Sequence, residues 1–194
     1  VDFDQLCVQA RFFGQDDLII IEDAAQSFGA YYKDRPSGSL GDVSVLSFDP
    51  TKTLPNYGSG GMILTDDQRF YEQCLDYRNN GKPSGHYNAG TNSKMSESDC
   101  AQMLVKLRHF DSWQRRRGEI AGYYNNQFAD IIETIQPLPD VTSAWHKYVI
   151  RIGERDAVRT HLRTQGIDCR VHYDTPLYDL PVAQDIIGTH NNMH

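Results

Sequence analysis

The sequence predicts an α/β fold, with a mostly parallel sheet in a larger first domain and the start of a smaller α+β domain after it. Three observations lead to this prediction. Short apolar runs alternate with longer segments of helical periodicity. One run, residues 18–21 (LIII), is continuously apolar, which is typical of a strand buried on both faces of a parallel sheet. Pro137 and Pro139 then mark a connector between the two domains.

The first domain is predicted over residues 1–135. Apolar residues spaced as on one helix face predict a helix over residues 3–13 that Gly14 ends. Apolar runs and periodicity then predict strands at 18–21, 43–48 and 62–64 and a helix at 68–78. A long region with an apolar face follows Ser96, which begins a capping-box pattern, and forms one bent helix or two.

The second domain is predicted over residues 136–194. Its pattern is that of a β-α-β unit, in which a helix that Gly166 ends lies between two strands. The three predicted elements are a strand at 147–152, a helix at 155–165 and a strand at 169–173.

Charge, hydropathy and cysteine spacing exclude several classes of partner. The chain carries 19 Lys+Arg against 26 Asp+Glu, a net charge of −7, which is unlike a binder of nucleic acid or anionic membranes. Its aliphatic runs are far shorter than the roughly 20 residues of a membrane helix. The four cysteines have no metal-ligand spacing, so we expect no metal site and reduced thiols in a cytoplasmic protein.

Polar residues follow the predicted strands at the edge where ligands bind in open parallel sheets. Asp23 and Gln26 follow the first strand, and Ser47, Thr51 and Lys52 follow the second. A glycine-rich loop, residues 58–61, precedes the third strand. This set suits an anionic cofactor with a basic ring nitrogen. Simpler interpretations stay open at this point: Asp23 caps a helix, Lys52 is a surface lysine, and the loop is a plain turn.

Several motifs in order resemble those of one family, the DegT/DnrJ/StrS nucleotide-sugar aminotransferases, which are fold-type I enzymes dependent on pyridoxal 5′-phosphate. The motifs cover nearly the whole chain, and they are 22–30 (EDAAQSFGA), 38–42 (GSLGD), 47–52 (SFDPTK), 57–61 (YGSGG), 77–81 (YRNNG), 90–95 (GTNSKM), 145–146 (WH), 171–173 (VHY) and 176–177 (PL). Two positions depart from the family pattern: Lys94, where arginine is more frequent, and Tyr178, where many members have histidine.

The resemblance implies a role for five residues. Lys52 would hold pyridoxal phosphate covalently and move the proton during transfer, and Asp23 would keep the pyridine nitrogen protonated. Gln26 would lie near the ring hydroxyl, and Ser47 would donate to the phosphate. Asn92 would reach the phosphate of a neighbouring subunit, which implies a homodimer.

The implied reaction moves an amino group, from glutamate by resemblance, to a nucleotide-linked keto sugar. Two alternatives remain. A sugar dehydratase of the same family would carry histidine in place of Lys52, and a regulatory relative would have no need of the lysine. Because family members are longer, we also expect the chain to be an internal fragment that lacks an N-terminal region and the extreme C-terminus.

Overall fold

The computed structural model describes residues 2–14 and 18–183, and it divides into two compact units between Arg151 and Ile152. The helices are α1 (Phe3–Phe12), α2 (Gln68–Arg78), α3 (Glu97–Phe128) and α4 (Arg155–Thr164), with a 3-10 turn at Leu177–Asp179. The strands are β1 (Ile21–Asp23), β2 (Tyr31–Tyr32), β3 (Arg35–Pro36), β4 (Val43–Ser47), β5 (Gly61–Thr65), β6 (Glu133–Thr134), β7 (Val141–Thr142) and β8 (Ile150–Arg151).

The central sheet has the strand order β1-β4-β5 and is partly parallel. β1 and β4 run parallel, with Asp23 opposite Val45, whereas β4 and β5 run antiparallel, with Ser47 opposite Gly61. The carboxyl ends of β1 and β4 therefore lie at the same edge as the beginning of β5. The predicted α/β class is confirmed, and the glycine-rich loop before β5 lies at the edge that also carries the polar residues after β1 and β4.

Side-chain caps mark the N-termini of two of the helices. Asp67 caps α2 by accepting from the N–H of Phe70, and Ser96 caps α3 by accepting from the N–H of Asp99. The long region after Ser96 is a single helix of 32 residues. It packs on the central sheet through a cluster of buried apolar residues, which are Ala24, Leu46, Phe48, Leu54, Met103 and Phe110.

The turn after β1 passes close to α3 at Gly29. Its φ is +90°, and a Cβ there would lie 2.7 Å from the ring atom Cζ of Phe110. We expect Gly29→Ala to lower the free energy of unfolding by about 1–3 kcal/mol, because the new methyl group overpacks the core and the backbone angle disfavours a side chain. Urea unfolding monitored by circular dichroism measures this change.

Gly118 supplies the matched control for that experiment. It lies within α3, and a Cβ at Gly118 would meet nothing within 4 Å. Gly118→Ala should therefore raise stability by up to about 1 kcal/mol through helix propensity. Equal effects of the two substitutions would contradict the close contact between Gly29 and Phe110.

The predicted β-α-β unit is wrong in its strands. α4 is present, but residues 169–173 form no strand, and within the described part of the second unit there is no strand with which they could pair. The strand predicted at 147–152 is reduced to β8, which pairs antiparallel with β6. β7 pairs with β2, and residues 136–151 belong to the first compact unit. The compact units therefore divide 16 residues after the predicted domain boundary at 135/136, which stays a prediction.

None of the described helices is both long and apolar enough to cross a membrane. The four cysteines are all free. Among residues 2–14 and 18–183, no group of three or more His, Cys, Asp or Glu side chains is arranged to hold a metal ion.

Candidate active site

Strand register brings Asp23 and Ser47 to one face of the central sheet. Asp23 pairs with Val45 across the parallel β1–β4 ladder, and Ser47 lies two residues beyond Val45. Because side chains alternate between faces with a period of two, Asp23, Val45 and Ser47 share a face. Glu22 belongs to the opposite face, where its carboxylate accepts hydrogen bonds from Ser44 and from three groups of the segment 37–40.

The exposed Asp23 carboxylate is only partly engaged. Its Oδ1 accepts from the N–H of Ala25 at 3.1 Å, so one oxygen stabilises the turn after β1 as a cap would. The residue also lines a cavity of about 660 Å³, to which Trp145 and Lys147 contribute from the later chain. Glu22, Ser37 and Leu40 line the same cavity, whereas Gln26, Ser47 and Lys52 are not among its described lining residues, so this cavity is distinct from the face that Asp23 shares with Ser47. The capping interpretation and a ligand role for the second oxygen are therefore compatible.

The segment from Ser47 to Lys52 is a tight turn organised around Asp49. The Asp49 Oδ1 accepts from the N–H and the hydroxyl of Thr51 at 2.9 and 2.6 Å, and its carbonyl accepts from the N–H of Lys52 at 2.9 Å. The bond from the Thr51 hydroxyl is the main reason that the pKa of Asp49 is lowered, and Lys52 and Lys147 add to the effect. Lys52 itself is half-buried.

Ser47 completes the turn as an acceptor. Its Oγ accepts from the N–H of Asp49 at 3.3 Å, which leaves the hydroxyl proton free to be donated to a ligand. Its neighbour across the ladder is Gly61, at the end of the glycine-rich loop. A hydroxyl donor thus lies between the Lys52 turn and the loop, where an anionic group has access to both.

His146 joins the two polar segments that follow β1 and β4. Its Nε2 lies 2.8 Å from the carbonyl oxygen of Thr51, and its Nδ1 lies 3.3 Å from Oε1 of Gln26. Partial burial is the main cause that lowers the pKa of His146, and the positive charges of Lys147, Lys52 and Arg117 lower it further, while the bond to Thr51 raises it. The sequence analysis gave His146 no role, although the Trp145-His146 pair was part of the resemblance.

Asn92 lies in a segment fixed to the end of α2. It forms an isolated antiparallel bridge with Asn79, and it is exposed. No hydrogen bond joins it to Asp23, Gln26, Ser47 or Lys52 in the described part of the chain. Lys94 donates to Oδ1 of Asn79 at 3.0 Å, so the lysine that departs from the family pattern has a structural contact within this segment.

Asp76, a buried residue of α2, anchors the loop that leads to Asn92. Its carboxylate accepts from the N–H of Ser84 at 2.9 Å and from the side-chain amide of Asn88 at 2.8 Å. These bonds lower the pKa of Asp76, with the contact from Asn88 as the largest cause. Sequence analysis missed this residue because its partners are loop residues without a recognisable pattern.

The donor set fits pyridoxal phosphate. Asp23 offers a carboxylate oxygen for a ring nitrogen, Ser47 a hydroxyl proton for a phosphate, and Lys52 an amine for an aldehyde. The cations that act on His146 make the surroundings of the turn favourable for an anion. These groups come from the end of β1, the end of β4 and the turn that follows β4.

Comparison with known proteins finds relatives over most of the chain. Residues 9–193 match the profile of the DegT/DnrJ/EryC1/StrS aminotransferase family. The chain is 37% identical over 168 residues to the dTDP-3-amino-3,4,6-trideoxy-alpha-D-glucose transaminase of Streptomyces venezuelae, covering 84% of this chain and 44% of the relative. It is also 37% identical to the pleiotropic regulatory protein of Geobacillus stearothermophilus, covering 85% of this chain and 46% of that protein. The chain thus spans about half the length of these relatives.

Solved structures extend the likeness to the fold. DesV of S. venezuelae, crystallised in complex with a ketimine intermediate, matches with a TM-score of 0.88 at 36% identity, over 95% of this chain and 50% of DesV. Spr1654 from Streptococcus pneumoniae in its PLP form matches with a TM-score of 0.81 at 26% identity, over 96% of this chain and 54% of Spr1654. The predicted resemblance is confirmed at the level of sequence and of fold.

Proposed function

Because this chain belongs to the DegT/DnrJ/EryC1/StrS aminotransferase family, we propose that it supplies the lysine-bearing part of an enzyme that transfers an amino group to a nucleotide-linked keto sugar. Glutamate is the proposed amino donor. The observation that supports the proposal most directly is the common face of Asp23 and Ser47 beside the half-buried Lys52 turn. Aminotransferases of this family depend on pyridoxal phosphate, and this is the proposed cofactor.

The proposed contacts of Lys52, Ser47 and Asp23 use groups that the local structure leaves available, whereas the Gln26 amide also contacts His146. Lys52 holds the cofactor through its amine, Ser47 donates its hydroxyl proton to the phosphate, and Gln26 binds near the ring hydroxyl. Asp23 binds the ring nitrogen with the oxygen that does not accept from Ala25. Pyridoxal phosphate, when bound, supplies an electron sink for the carbon that carries the amino group.

Lys52 also moves a proton in the proposed mechanism. Its amine, when free, would accept a proton from the substrate carbon and donate it again later in the reaction, which is general acid–base catalysis. The Asp49-centred turn restricts where the amine can reach, because three hydrogen bonds fix the backbone around Thr51 and Lys52. The Asp23 carboxylate would hold the protonated ring nitrogen of the cofactor.

A half-reaction tests this function. The protein loaded with pyridoxal phosphate and mixed with L-glutamate alone should release one equivalent of 2-oxoglutarate per site and retain the amino group, and a nucleotide-linked keto sugar added afterwards should accept that group. Production of 2-oxoglutarate separates an aminotransferase from a regulatory relative. Loaded protein that releases none with any amino acid would exclude the proposal. A cytoplasmic location stays a prediction from the cysteine pattern.

The proposed assembly is a homodimer in which Asn92 of each subunit reaches the cofactor phosphate of the other. We expect a mixture of Lys52→Ala and Asn92→Ala variants, after subunit exchange, to regain up to about a quarter of wild-type activity. Half of the dimers are then mixed, and one of the two sites in each holds both Lys52 and Asn92. Activity is measured before and after exchange, and differently tagged subunits that purify together show that the exchange has taken place. No gain after complete exchange would mean that Asn92 does not complete the partner's site.

A further inference from the structure

His146 lies between two segments that carry proposed cofactor contacts, although it is distant from both in sequence. Its ring reaches Gln26, 120 positions earlier, through Nδ1 and the Thr51 carbonyl, 95 positions earlier, through Nε2. Thr51 precedes Lys52 directly. One imidazole therefore connects the residue proposed to bind the ring hydroxyl with the turn that carries the proposed cofactor lysine.

The backbone that presents His146 is unusual. Trp145, the residue before it, has a φ of +47°, a conformation that a bulky side chain rarely adopts. The Trp145 N–H donates to Oγ of Ser143 at 3.1 Å, and its ring stacks on Tyr148 with centroids 5.9 Å apart. A strained residue that its surroundings hold in place is typical of functional sites. Here the strained residue directs the next side chain, His146, to the two polar segments.

Donor and acceptor rules limit the protons on this imidazole. A carbonyl oxygen only accepts, so the 2.8 Å contact with Thr51 requires a proton on Nε2. A protonated ring also carries a proton on Nδ1, which donates to Oε1 of Gln26 as the two atoms lie in the structure. A neutral ring with its proton on Nε2 has a lone pair on Nδ1 instead. The contact then requires a flip of the Gln26 side-chain amide, so that its NH2 group donates to Nδ1.

We propose that His146 is a positioning residue that fixes the amide of Gln26, and that its proton decides which end of this amide faces the bound cofactor. With neutral His146, Gln26 presents its carbonyl oxygen, an acceptor for a ring hydroxyl. With protonated His146, Gln26 presents its NH2 group, a donor. The inference rests on the proposed function, since the group that Gln26 faces is the proposed cofactor.

The charges around His146 favour the neutral ring. Lys52 in the turn after β4, Arg117 on α3 and the adjacent Lys147 are all positive, and partial burial acts in the same direction. The Thr51 carbonyl is the group that opposes them. Near neutral pH the acceptor state of Gln26 therefore predominates, and acidification below the ordinary histidine value of about 6.5 favours the donor state.

The first test needs no cofactor. Nitrogen-15 NMR of the histidine ring should show that His146 is neutral at pH 7 with its proton on Nε2, and that it titrates below the usual range. Gln26→Glu places a carboxylate opposite Nδ1 and should raise the protonation constant of His146 about tenfold. Gln73→Glu, which adds the same charge on exposed α2, should leave it unchanged. A neutral ring with its proton on Nδ1 would overturn the proposal. So would a protonation constant of His146 that is the same in Gln26→Glu as in the wild type.

The second test separates the two ring nitrogens by cofactor affinity. An asparagine amide lies where Nδ1 does, and a glutamine amide lies near Nε2, so His146→Asn keeps the contact with Gln26 and His146→Gln keeps the one with Thr51. We expect His146→Gln to weaken pyridoxal phosphate binding about tenfold and His146→Asn to retain most of it. Equal losses in both variants would show a merely structural role. Absence of cofactor binding in the wild type would refute the proposed function, whereas the NMR titration decides the contact independently.

Discussion

Lys52→Ala should abolish amino transfer, with a fall in the rate of the glutamate half-reaction of at least about 10³-fold. In the proposed mechanism the variant lacks both the covalent attachment of the cofactor and the amine that moves the proton, and general acid–base catalysis alone contributes about 10²–10⁴-fold. The rate is measured in a single turnover with pyridoxal phosphate in excess, so that weaker binding does not limit it.

Lys33 supplies the control for this substitution. Its amine is already bound to the Asp4 carboxylate at 2.9 Å on the surface, and Lys33→Ala should keep the rate of the wild type. Borohydride reduction of the wild type loaded with pyridoxal phosphate, followed by peptide mapping, should fix the cofactor on Lys52. A label on Lys33 or Lys82 would transfer the role to another lysine.

Asp23→Asn should leave cofactor binding largely intact and lower turnover by at least about a hundredfold. The asparagine oxygen can still accept from the N–H of Ala25, so the turn is preserved while the negative charge is lost. Without that charge the ring nitrogen loses its proton and withdraws electrons poorly; removing a single electrostatic group of this kind costs about 10²–10³ in rate.

Asp42→Asn is the matched control for Asp23→Asn. The Asp42 carboxylate also accepts from a backbone N–H, that of Ile20 at 2.8 Å, but it lies at the opposite end of the parallel strand pair, near the start of β4. We expect the Asp42 variant to turn over like the wild type. Turnover of Asp23→Asn at the wild-type rate would remove Asp23 from the catalytic machinery.

Sequence analysis predicted the parts of the site that are local in the chain. Asp23 is predicted just after the strand at 18–21, whereas the structure places both Glu22 and Asp23 within β1, where they face opposite sides. This alternation explains why Asp23 is available to a ligand whereas Glu22 is surrounded by donors from Ser37, Gly38, Leu40 and Ser44.

Contacts between distant segments were not predictable in the same way. The contact of His146 with Gln26 depends on a strained backbone at Trp145 and on how the chain returns to the central sheet, neither of which leaves a periodic pattern. The strand predicted at 169–173 fails for a related reason. A segment with strand propensity forms a strand only when a neighbouring strand can pair with it, and the described second unit offers none.

The anchoring of the Asn92 loop by Asp76 bears on how two subunits would meet. A loop that orders only on contact must give up its conformational freedom at that moment, which weakens association. Here the carboxylate fixes the loop through Ser84 and Asn88 within one chain, so its entropy is lost during folding and the proposed interface is preorganised. Because the pKa of Asp76 is lowered, this anchoring is complete above the ordinary aspartate value of about 3.8 and is lost as the pH falls through the folded-state value. In strong acid the loop that leads to Asn92 would therefore lose its fixed conformation. The proposed association of subunits would then require the loop to order on binding.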